Sequence, residues 1–359
     1  MKPADLDLSV NHPALDQARG DWPGFGLSDD IRPALAAARD AGETCALATL
    51  FDARGGTPRG VGAQMLVRRA CVSGFLSGGC IEADVTLNAL AVLDGGQARR
   101  LVYGEGGPID IRLPCGGCVN ILVERILPDD PAVGELLKAW HERRPAIWLS
   151  DGDARSCQDG TSSNPAFPEM AGMSAADPQM TIYRRYFPQP RLIVFGSDPM
   201  VLALSSMAAQ SGIDTAIARP KGPLAAPPVA GIRYLRGMPA DNLTKIGVDR
   251  WTGIVVAAHD DIDDRDALFA ALQSDAGYVG LLGAKRHLQR KLEHLRLKGV
   301  DDAFLARLRA PVGLPGGGRS PWQIAISILA EFAQWSNAEQ NSYVGVAPHL
   351  PDSASRTAS

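Results

Sequence analysis

Short apolar segments alternate with longer helical segments through the second half of the chain, and this alternation restricts the fold more than any other feature. RLIVFG (191–196) and GIVVAA (253–258) are rich in β-branched residues and short enough to be buried strands, and longer amphipathic segments follow them. Successive strands joined by helices run parallel in one sheet. The sequence therefore predicts a Rossmann-like, doubly wound parallel sheet over residues 190–335, followed by a polar, flexible tail over 336–359.

The first half of the chain has a different pattern. Strand candidates such as CALATLFDA (45–53) are separated by glycine-rich turns, and a helix is predicted after one of these turns. We predict a mixed α+β domain over residues 28–128. Residues 129–189 include a stretch of small, polar and proline-bearing sequence with no periodicity, which is typical of a linker or variable segment.

Composition excludes several classes of protein. The chain has 359 residues, which fits two or three domains, and its net charge of −4 argues against a general nucleic-acid or anionic-membrane binder. No apolar run approaches the ~18 residues of a membrane span, and the acidic start MKPADLDLSV lacks the apolar core of a signal peptide. We therefore expect a cytoplasmic protein. Its six cysteines are too few for a disulfide framework.

The first turn of the predicted parallel sheet argues against dinucleotide binding in the usual mode. Only Gly196 of a G-x-G-x-x-G fingerprint is present. Asp198 stands where a glycine would approach a pyrophosphate, and Pro199 removes an N–H donor. Arg219 stands where an acid would bind the ribose hydroxyls, although an arginine there could face a phosphate. An NAD(P)-dependent oxidoreductase therefore stays an alternative.

Three glycine-rich turns that carry basic residues are better suited to an anion. They cover residues 55–60, 280–286 and 316–321, and the last two precede predicted helices whose first N–H groups point toward the turn. Each turn read singly fits a tight connection with solvated charges equally well, but the three together favour a phosphate-bearing ligand. The candidate ligand residues in these turns are Arg59, Gly283, Arg286 and Arg319.

The third of these turns also carries a helix-start signature. Ser320 fits the N-cap, Pro321 fits the first helical position, and Gln323 completes a capping box. We therefore predict that a helix begins at Pro321.

One cysteine follows two glycines at the predicted start of a helix. A helix N-terminus stabilises a thiolate, so Cys80 is a candidate functional thiol, whereas Glu82 in the first helical turn partly opposes this effect. A structural role for Cys80 fits the pattern as well. Gly78 and Gly79 complete this candidate site.

Two further cysteines form the C-x-x-C motif Cys115-Gly116-Gly117-Cys118. A thioredoxin-like motif opens a helix, but the sequence behind this one is strand-like. A structural zinc site needs about four ligands, and no second pair stands nearby. Contact with a soft metal or a sulfur-bearing ligand remains open, as does thiol redox chemistry.

Six motifs together resemble those of the XdhC/CoxI family, the xanthine dehydrogenase accessory proteins. They lie in the same order along the chain and cover most of residues 35–128 and 190–335. The motifs are ATLFDARGGTPRGVGAQMLV, SGGCIEADV, LPCGGCVNILVE, AAHDDIDDRDAL, YVGLLGAKRH and PVGLPGGGRSPWQIAISILAEF.

The resemblance implies a chaperone for the molybdenum cofactor rather than an enzyme. Such proteins bind and shield the cofactor, plain or nucleotide-extended, support its sulfuration and deliver it to a molybdenum hydroxylase of the xanthine dehydrogenase or aldehyde oxidase type. The resemblance also implies a homodimer and, as further partners, a cysteine desulfurase or a cofactor-biosynthesis enzyme.

The family's cysteines correspond to Cys80 and Cys115, which we expect near the molybdenum. Many relatives lack Cys118. We place the ligand between the two domains, with these thiols at the metal end and the basic turns at the phosphate end. Two alternatives stay open, namely the NAD(P)-dependent oxidoreductase and a thiol-redox protein built on Cys115 and Cys118.

Overall fold

A computed structural model describes residues 29–105, 107, 113, 115–161, 166–174, 181–257, 261–283, 285–305, 307–316 and 318–342, without the side chains of 261–264, 285–287 and 303. The chain divides into two compact units, and the division falls after Pro188.

The first unit is built from two antiparallel sheets and helices that pack on them. Its elements are α1 (Arg32–Asp40), β1 (Cys45–Arg54), β2 (Gln64–Val67), β3 (Val72–Gly74), α2 (Glu82–Leu93), β4 (Arg99–Tyr103), β5 (Cys118–Ile126), α3 (Pro131–His141), β6 (Ala146–Ser150), β7 (Arg155–Asp159), β8 (Ala171–Met173) and β9 (Ile182–Tyr186).

The larger sheet has the strand order β3-β2-β1-β5-β4, and β1 is its central strand. Successive side chains of a strand point to opposite faces. Ala48 and Leu50 of β1 therefore pack in a core that includes Val85 of α2, while Leu47 packs in a second core with Leu136 of α3. Burial on both faces explains why β1 is almost continuously apolar.

Three loops leave the same end of this sheet. β2 is antiparallel to both β1 and β3, and β5 is antiparallel to both β1 and β4, so β1, β3 and β4 all finish at one end. The loops that follow these strands are residues 55–63, 75–81 and the described part of 104–117. The topology therefore gathers the glycine and cysteine motifs of the first unit.

The segment 129–189, expected to be a linker, is largely folded into the first unit. It contributes α3 and a second antiparallel sheet with the order β7-β6-β9-β8. Trp148 of β6 and Tyr186 of β9 are buried in the same core as α3. The paired strands β6 and β9 are far apart in sequence, so a search for local periodicity does not reveal that they form one sheet. Residues 162–165 and 175–180 of this segment lie outside the described residues.

The second unit contains the predicted parallel sheet. Its elements are β10 (Arg191–Gly196), α4 (Pro199–Gln210), β11 (Asp214–Ala218), β12 (Ile232–Leu235), α5 (Pro239–Ile246), β13 (Thr252–Ala257), α6 (Asp261–Gln273), β14 (Tyr278–Leu281), α7 (Lys285–Leu297), α8 (Asp302–Leu305), β15 (Leu308–Arg309) and α9 (Pro321–Ser342).

All strand pairs of this sheet are parallel, and the order is β12-β11-β10-β13-β14-β15. Numbered within the unit, this is the Rossmann order 3-2-1-4-5-6. The predicted fold class, a mixed α+β domain followed by a Rossmann-like sheet, is confirmed.

The last helix extends beyond the predicted start of the tail at residue 336. α9 continues to Ser342, and the side chain of Ser336 is buried. Within the extension, the Glu339 carboxylate forms an ion pair with Arg250, which precedes β13. Residues 343–359 lie outside the described residues. No helix in the described ranges is both long and apolar enough to cross a membrane.

Candidate functional site

The loop that carries Cys80 is organised around the carboxylate of Glu82. One carboxylate oxygen, Oε1, accepts hydrogen bonds from the backbone N–H groups of Leu76, Ser77 and Gly78, at 3.0, 2.6 and 3.0 Å. The other oxygen, Oε2, accepts from Gly79 N at 2.8 Å, and also from Ile81 N and the Ser77 hydroxyl. Both oxygens are therefore fully occupied by the loop.

This arrangement gives Glu82 a role in its own loop that the sequence did not predict, and its part in cofactor binding stays a prediction. The loop amides that would surround an external anion already donate to this carboxylate, and the residue is buried. Burial opposes ionisation, but the hydrogen bonds from Ser77 and the neighbouring amides outweigh it and lower the pKa of Glu82 to about 2. Glu82 is thus ionised near neutral pH, where it fixes the loop that carries Cys80.

Ser77 and the two glycines set the position of Cys80. The Ser77 hydroxyl accepts a hydrogen bond from Cys80 N at 3.0 Å while it donates to Glu82. Gly78 and Gly79 have φ values of +97° and +119°, a backbone conformation that residues with a Cβ rarely adopt. Cys80 itself is exposed and lies two residues before α2, which begins at Glu82 and not at Cys80. Sequence reasoning missed the role of Ser77, because Ser77 and Glu82 are five residues apart and do not have the three-residue spacing of a capping box.

The second cysteine loop packs against the end of β1. Arg54 of β1 lies opposite Cys118 of β5, so the turn after Arg54 meets the turn before Cys118. A Cβ on Gly117 would collide with the carbonyl oxygen of Gly56, and one on Gly56 would lie 3.0 Å from the carbonyl oxygen of Cys115. The close approach of the two backbones therefore requires these glycines. Cys115 and Gly116 are exposed at the outer side of the turn.

Arg59 connects the loop after β1 with the loop that carries Cys80. Its guanidinium lies over the Phe75 ring at 4.3 Å, and Phe75 begins the segment that leads to Ser77 and Cys80. Arg59 also forms a 2.7 Å ion pair with Asp29, and its side chain is 25% exposed. Residues 55–60 thus contact both cysteine loops.

Cys118 lies apart from the exposed turn. It is half-buried, and its Sγ lies 3.6 Å from the carbonyl oxygen of Glu105. No group of three or more His, Cys, Asp or Glu side chains in the described part of the chain is arranged to hold a metal ion.

In the second unit, a side chain of the turn after β10 caps the helix that follows. Asp198 is the N-cap of α4, and its carboxylate accepts a hydrogen bond from Val201 N at 2.9 Å. A carboxylate therefore occupies the helix N-terminus where a Rossmann fold usually binds a pyrophosphate. A Cβ on Gly196 would lie 2.8 Å from Val201 Cγ2, so this glycine serves close packing. Arg219 follows β11 and is exposed.

The two other predicted anion turns differ in how their amides are used. At the start of α9, the N–H groups of Arg319 and Ser320 both donate to Gln323 Oε1, and Gln323 N donates to Ser320 Oγ. The predicted capping box is therefore present, and it occupies amides that were expected to be free. Arg319 is exposed beside it.

The turn before α7 has free space around its glycine. Gly283 is exposed, and a Cβ there would meet nothing within 4 Å. Arg286 lies in the first turn of α7, and its side chain is outside the described residues.

The structure thus brings together the candidate residues of the first unit. They lie on loops at one end of one sheet, and they are Arg59, Gly78, Gly79, Cys80, Glu82, Cys115 and Gly116. Gly283, Arg286 and Arg319 belong to the second unit. Their part in ligand binding stays a prediction.

Comparison with known proteins agrees with these motifs. The family model described as the XdhC Rossmann domain matches residues 192–332, and that of the XdhC and CoxI family matches residues 38–104. The chain is 31% identical over 314 residues to the molybdenum cofactor insertion chaperone PaoD of Escherichia coli (strain K12), and the match covers 86% of this chain and 89% of that protein. It is 25% identical to a protein of Bacillus subtilis (strain 168) named as a probable xanthine dehydrogenase component, with coverage of 81% and 93%.

A solved structure shares the fold. The crystal structure of a protein from Bacillus halodurans, named as a xanthine dehydrogenase, superposes with a TM-score of 0.67 and 23% sequence identity, and the match covers 86% of this chain and 96% of that chain. The resemblance seen in the sequence motifs is confirmed, and the chain belongs to the XdhC and CoxI family.

Proposed function

We propose that this protein binds the molybdenum cofactor as cargo and delivers it to a molybdenum hydroxylase of the xanthine dehydrogenase or aldehyde oxidase type. The observation that carries the proposal is the convergence of two exposed thiols, Cys80 and Cys115, on glycine loops that Arg59 and its loop connect. The similarity to a protein named as a molybdenum cofactor insertion chaperone supports the same assignment.

The chemistry of these loops suits a carrier. Molybdenum held by dithiolene sulfur is a soft centre, and soft centres favour soft ligands such as thiolates. Because Glu82 already holds the Cys80 loop in shape, this thiol is presented before the cargo arrives. A preformed site costs less ordering entropy when it binds and releases the same ligand.

The finer steps belong to the same proposal. We propose that the protein shields the cofactor until transfer and supports its sulfuration, with a cysteine desulfurase or a cofactor-biosynthesis enzyme as a further partner. We propose a homodimer in the cytoplasm, a non-enzymatic role, and a cofactor that is either plain or nucleotide-extended. The NAD(P) alternative loses support because Asp198 caps the helix end that a dinucleotide would use.

The test is cofactor retention by the anaerobically purified full-length protein. Molybdenum and pterin per chain are measured for the wild type, Cys80→Ser, Cys115→Ser and the double variant. Cys71→Ser is the matched control, because Cys71 is an exposed thiol of the same unit outside the three loops. We expect both metal and pterin to fall at least about tenfold in the double variant, one order of magnitude being about 1.4 kcal/mol of binding, and to stay at the wild-type level in Cys71→Ser. Equal retention in all variants would exclude the thiol site.

A further inference from the structure

The guanidinium of Arg184, in β9, has no hydrogen-bond or ion-pair partner in the part of the chain that the structure describes. It lies over the Tyr186 ring at 4.5 Å. Its Nη1 atom is enclosed and has no acceptor. An arginine offers five N–H donors, and a buried charge without a counter-charge is costly, so such a group is a site for a missing anion.

Arg184 lies in a group of three arginines with Arg32 and Arg59. Burial lowers the pKa of Arg184, Tyr186 and Asp30 act to raise it, and the nearby cations of Arg32 and Arg59 act to lower it. The carboxylates of Asp30 and Asp29 are already engaged by the other two arginines. Asp30 bonds to Arg32 at 2.8 Å, and Asp29 bonds to Arg59 at 2.7 Å. Among the described residues, Arg32 and Arg59 each have a carboxylate partner and Arg184 has none.

This cluster adjoins the loop that contacts both thiol loops. Ala171 of β8 lies directly opposite Arg184 in the smaller sheet. A Cβ on Gly62, at the end of the loop after β1, would lie 3.1 Å from Ala171 Cβ. The same loop carries Arg59, whose side chain is one-quarter exposed, and reaches the Cys115 turn through Gly56. An anion at the arginine cluster would thus lie beside the candidate thiol site.

We infer that Arg184 and Arg59 form a binding site for a phosphomonoester, in which the planar guanidinium of Arg184 supplies paired N–H donors and Arg59 supplies the second charge. The inference rests on the proposed function, because the phosphate would be that of the cofactor cargo. It moves the phosphate end of the site into the first unit, whereas the sequence suggested helix starts of the second unit.

Arg185 provides a matched control one residue away. It is also a buried arginine with an unpartnered Nη1, but it donates to the carbonyl oxygen of Phe167 from Nε and Nη2, at 3.3 and 2.9 Å. Burial lowers the pKa of Arg185, and the neighbouring Tyr183 acts in the opposite direction, so no second cation opposes its charge among the described residues. Hydrogen bonds to the Phe167 carbonyl therefore account for the burial of the Arg185 guanidinium. No hydrogen bond among the described residues does so for Arg184.

The experiment measures binding of inorganic phosphate to the full-length protein by titration calorimetry in a phosphate-free buffer. We expect the wild type to bind phosphate, Arg184→Met and Arg59→Met each to weaken binding at least about tenfold, and Arg185→Met to change it less than about twofold. Absence of phosphate binding in the wild type, or equal binding by Arg184→Met, would overturn the inference.

Thermal unfolding separates a binding role from a structural one. Arg184→Met removes an uncompensated charge, so its melting temperature without phosphate should equal or exceed that of the wild type, whereas Arg185→Met should melt lower because it loses two hydrogen bonds. A fall in Arg184→Met as large as in Arg185→Met would assign Arg184 a structural role and overturn the inference. The Cys80→Ser/Cys115→Ser variant should bind phosphate like the wild type, so failure of the thiol proposal and failure of this one are distinguishable.

Discussion

Replacement of Glu82 by glutamine tests whether this carboxylate builds the Cys80 loop. The substitution keeps the shape of the side chain but turns one acceptor oxygen into a donating amide. Each carboxylate oxygen accepts three hydrogen bonds, so three of the six are lost whichever way the amide is oriented. At about 1 kcal/mol of net stabilisation for each bond, Glu82→Gln should lower the free energy of unfolding of the first unit by about 3 kcal/mol.

The assay combines thermal unfolding with hydrogen exchange followed by mass spectrometry. For a unit of this size, a loss of about 3 kcal/mol corresponds to a fall of about 6–12 °C in the melting temperature. Exchange should rise in peptides that span residues 75–82, because their amides lose their acceptor. Glu142→Gln is the control, since Glu142 is an exposed carboxylate that bonds only to the nearby Arg144 in the described structure, and we expect it to change stability by less than about 0.5 kcal/mol.

The loss of stability caused by Glu82→Gln should depend on pH. The folded-state pKa of Glu82 is lowered from 4.5 to about 2, so the carboxylate contributes its full stabilisation above pH 4.5 and loses it as the pH falls toward 2. The difference in stability between the wild type and Glu82→Gln should therefore be constant near neutral pH and shrink in acid. Stability of Glu82→Gln equal to that of Glu142→Gln, with unchanged exchange in the loop, would refute the role given to Glu82.

Two further substitutions test the other loops. Gly117→Ala should destabilise the first unit by about 2–3 kcal/mol, because its Cβ would collide with the Gly56 carbonyl and lie 2.7 Å from Thr57 Cγ2. Gly116→Ala should cost only about 1–2 kcal/mol, since its Cβ meets nothing within 4 Å and only its φ of +71° is unfavourable; equal melting temperatures for the two would contradict this packing. Ser320→Ala should lower the stability of the second unit by about 1 kcal/mol through loss of the helix cap, measured by denaturant unfolding, and no change would show that the capping box contributes nothing.

The features that could be predicted are those whose cause is local in sequence. The alternation of strands and helices fixes a parallel sheet because a crossover helix must return the chain to the same direction. The capping box at Ser320 depends on a spacing of three residues, and the helix after Cys80 depends on a short glycine turn. In each case the interacting groups are a few residues apart, so the pattern contains the whole interaction.

Glu82 shows where a local pattern was interpreted incompletely. The sequence places a negative charge near Cys80, and charge alone suggests that it opposes a thiolate. The structure turns this carboxylate inward to the loop amides, where it orders the backbone that presents the thiol. The distinction depends on backbone geometry that the residue types do not specify.

The sequence by itself determined the family, the Rossmann-like sheet and the two cysteine motifs, because periodicity, turn chemistry and motif order are properties of neighbouring residues. Only the tertiary structure decided that the loops after β1, β3 and β4 share one end of a sheet, since that follows from antiparallel pairing of strands distant in the chain. It also decided that Arg184 Nη1 is enclosed without an acceptor among the described residues, because burial and the arrangement of nearby charges arise only when separate strands pack together.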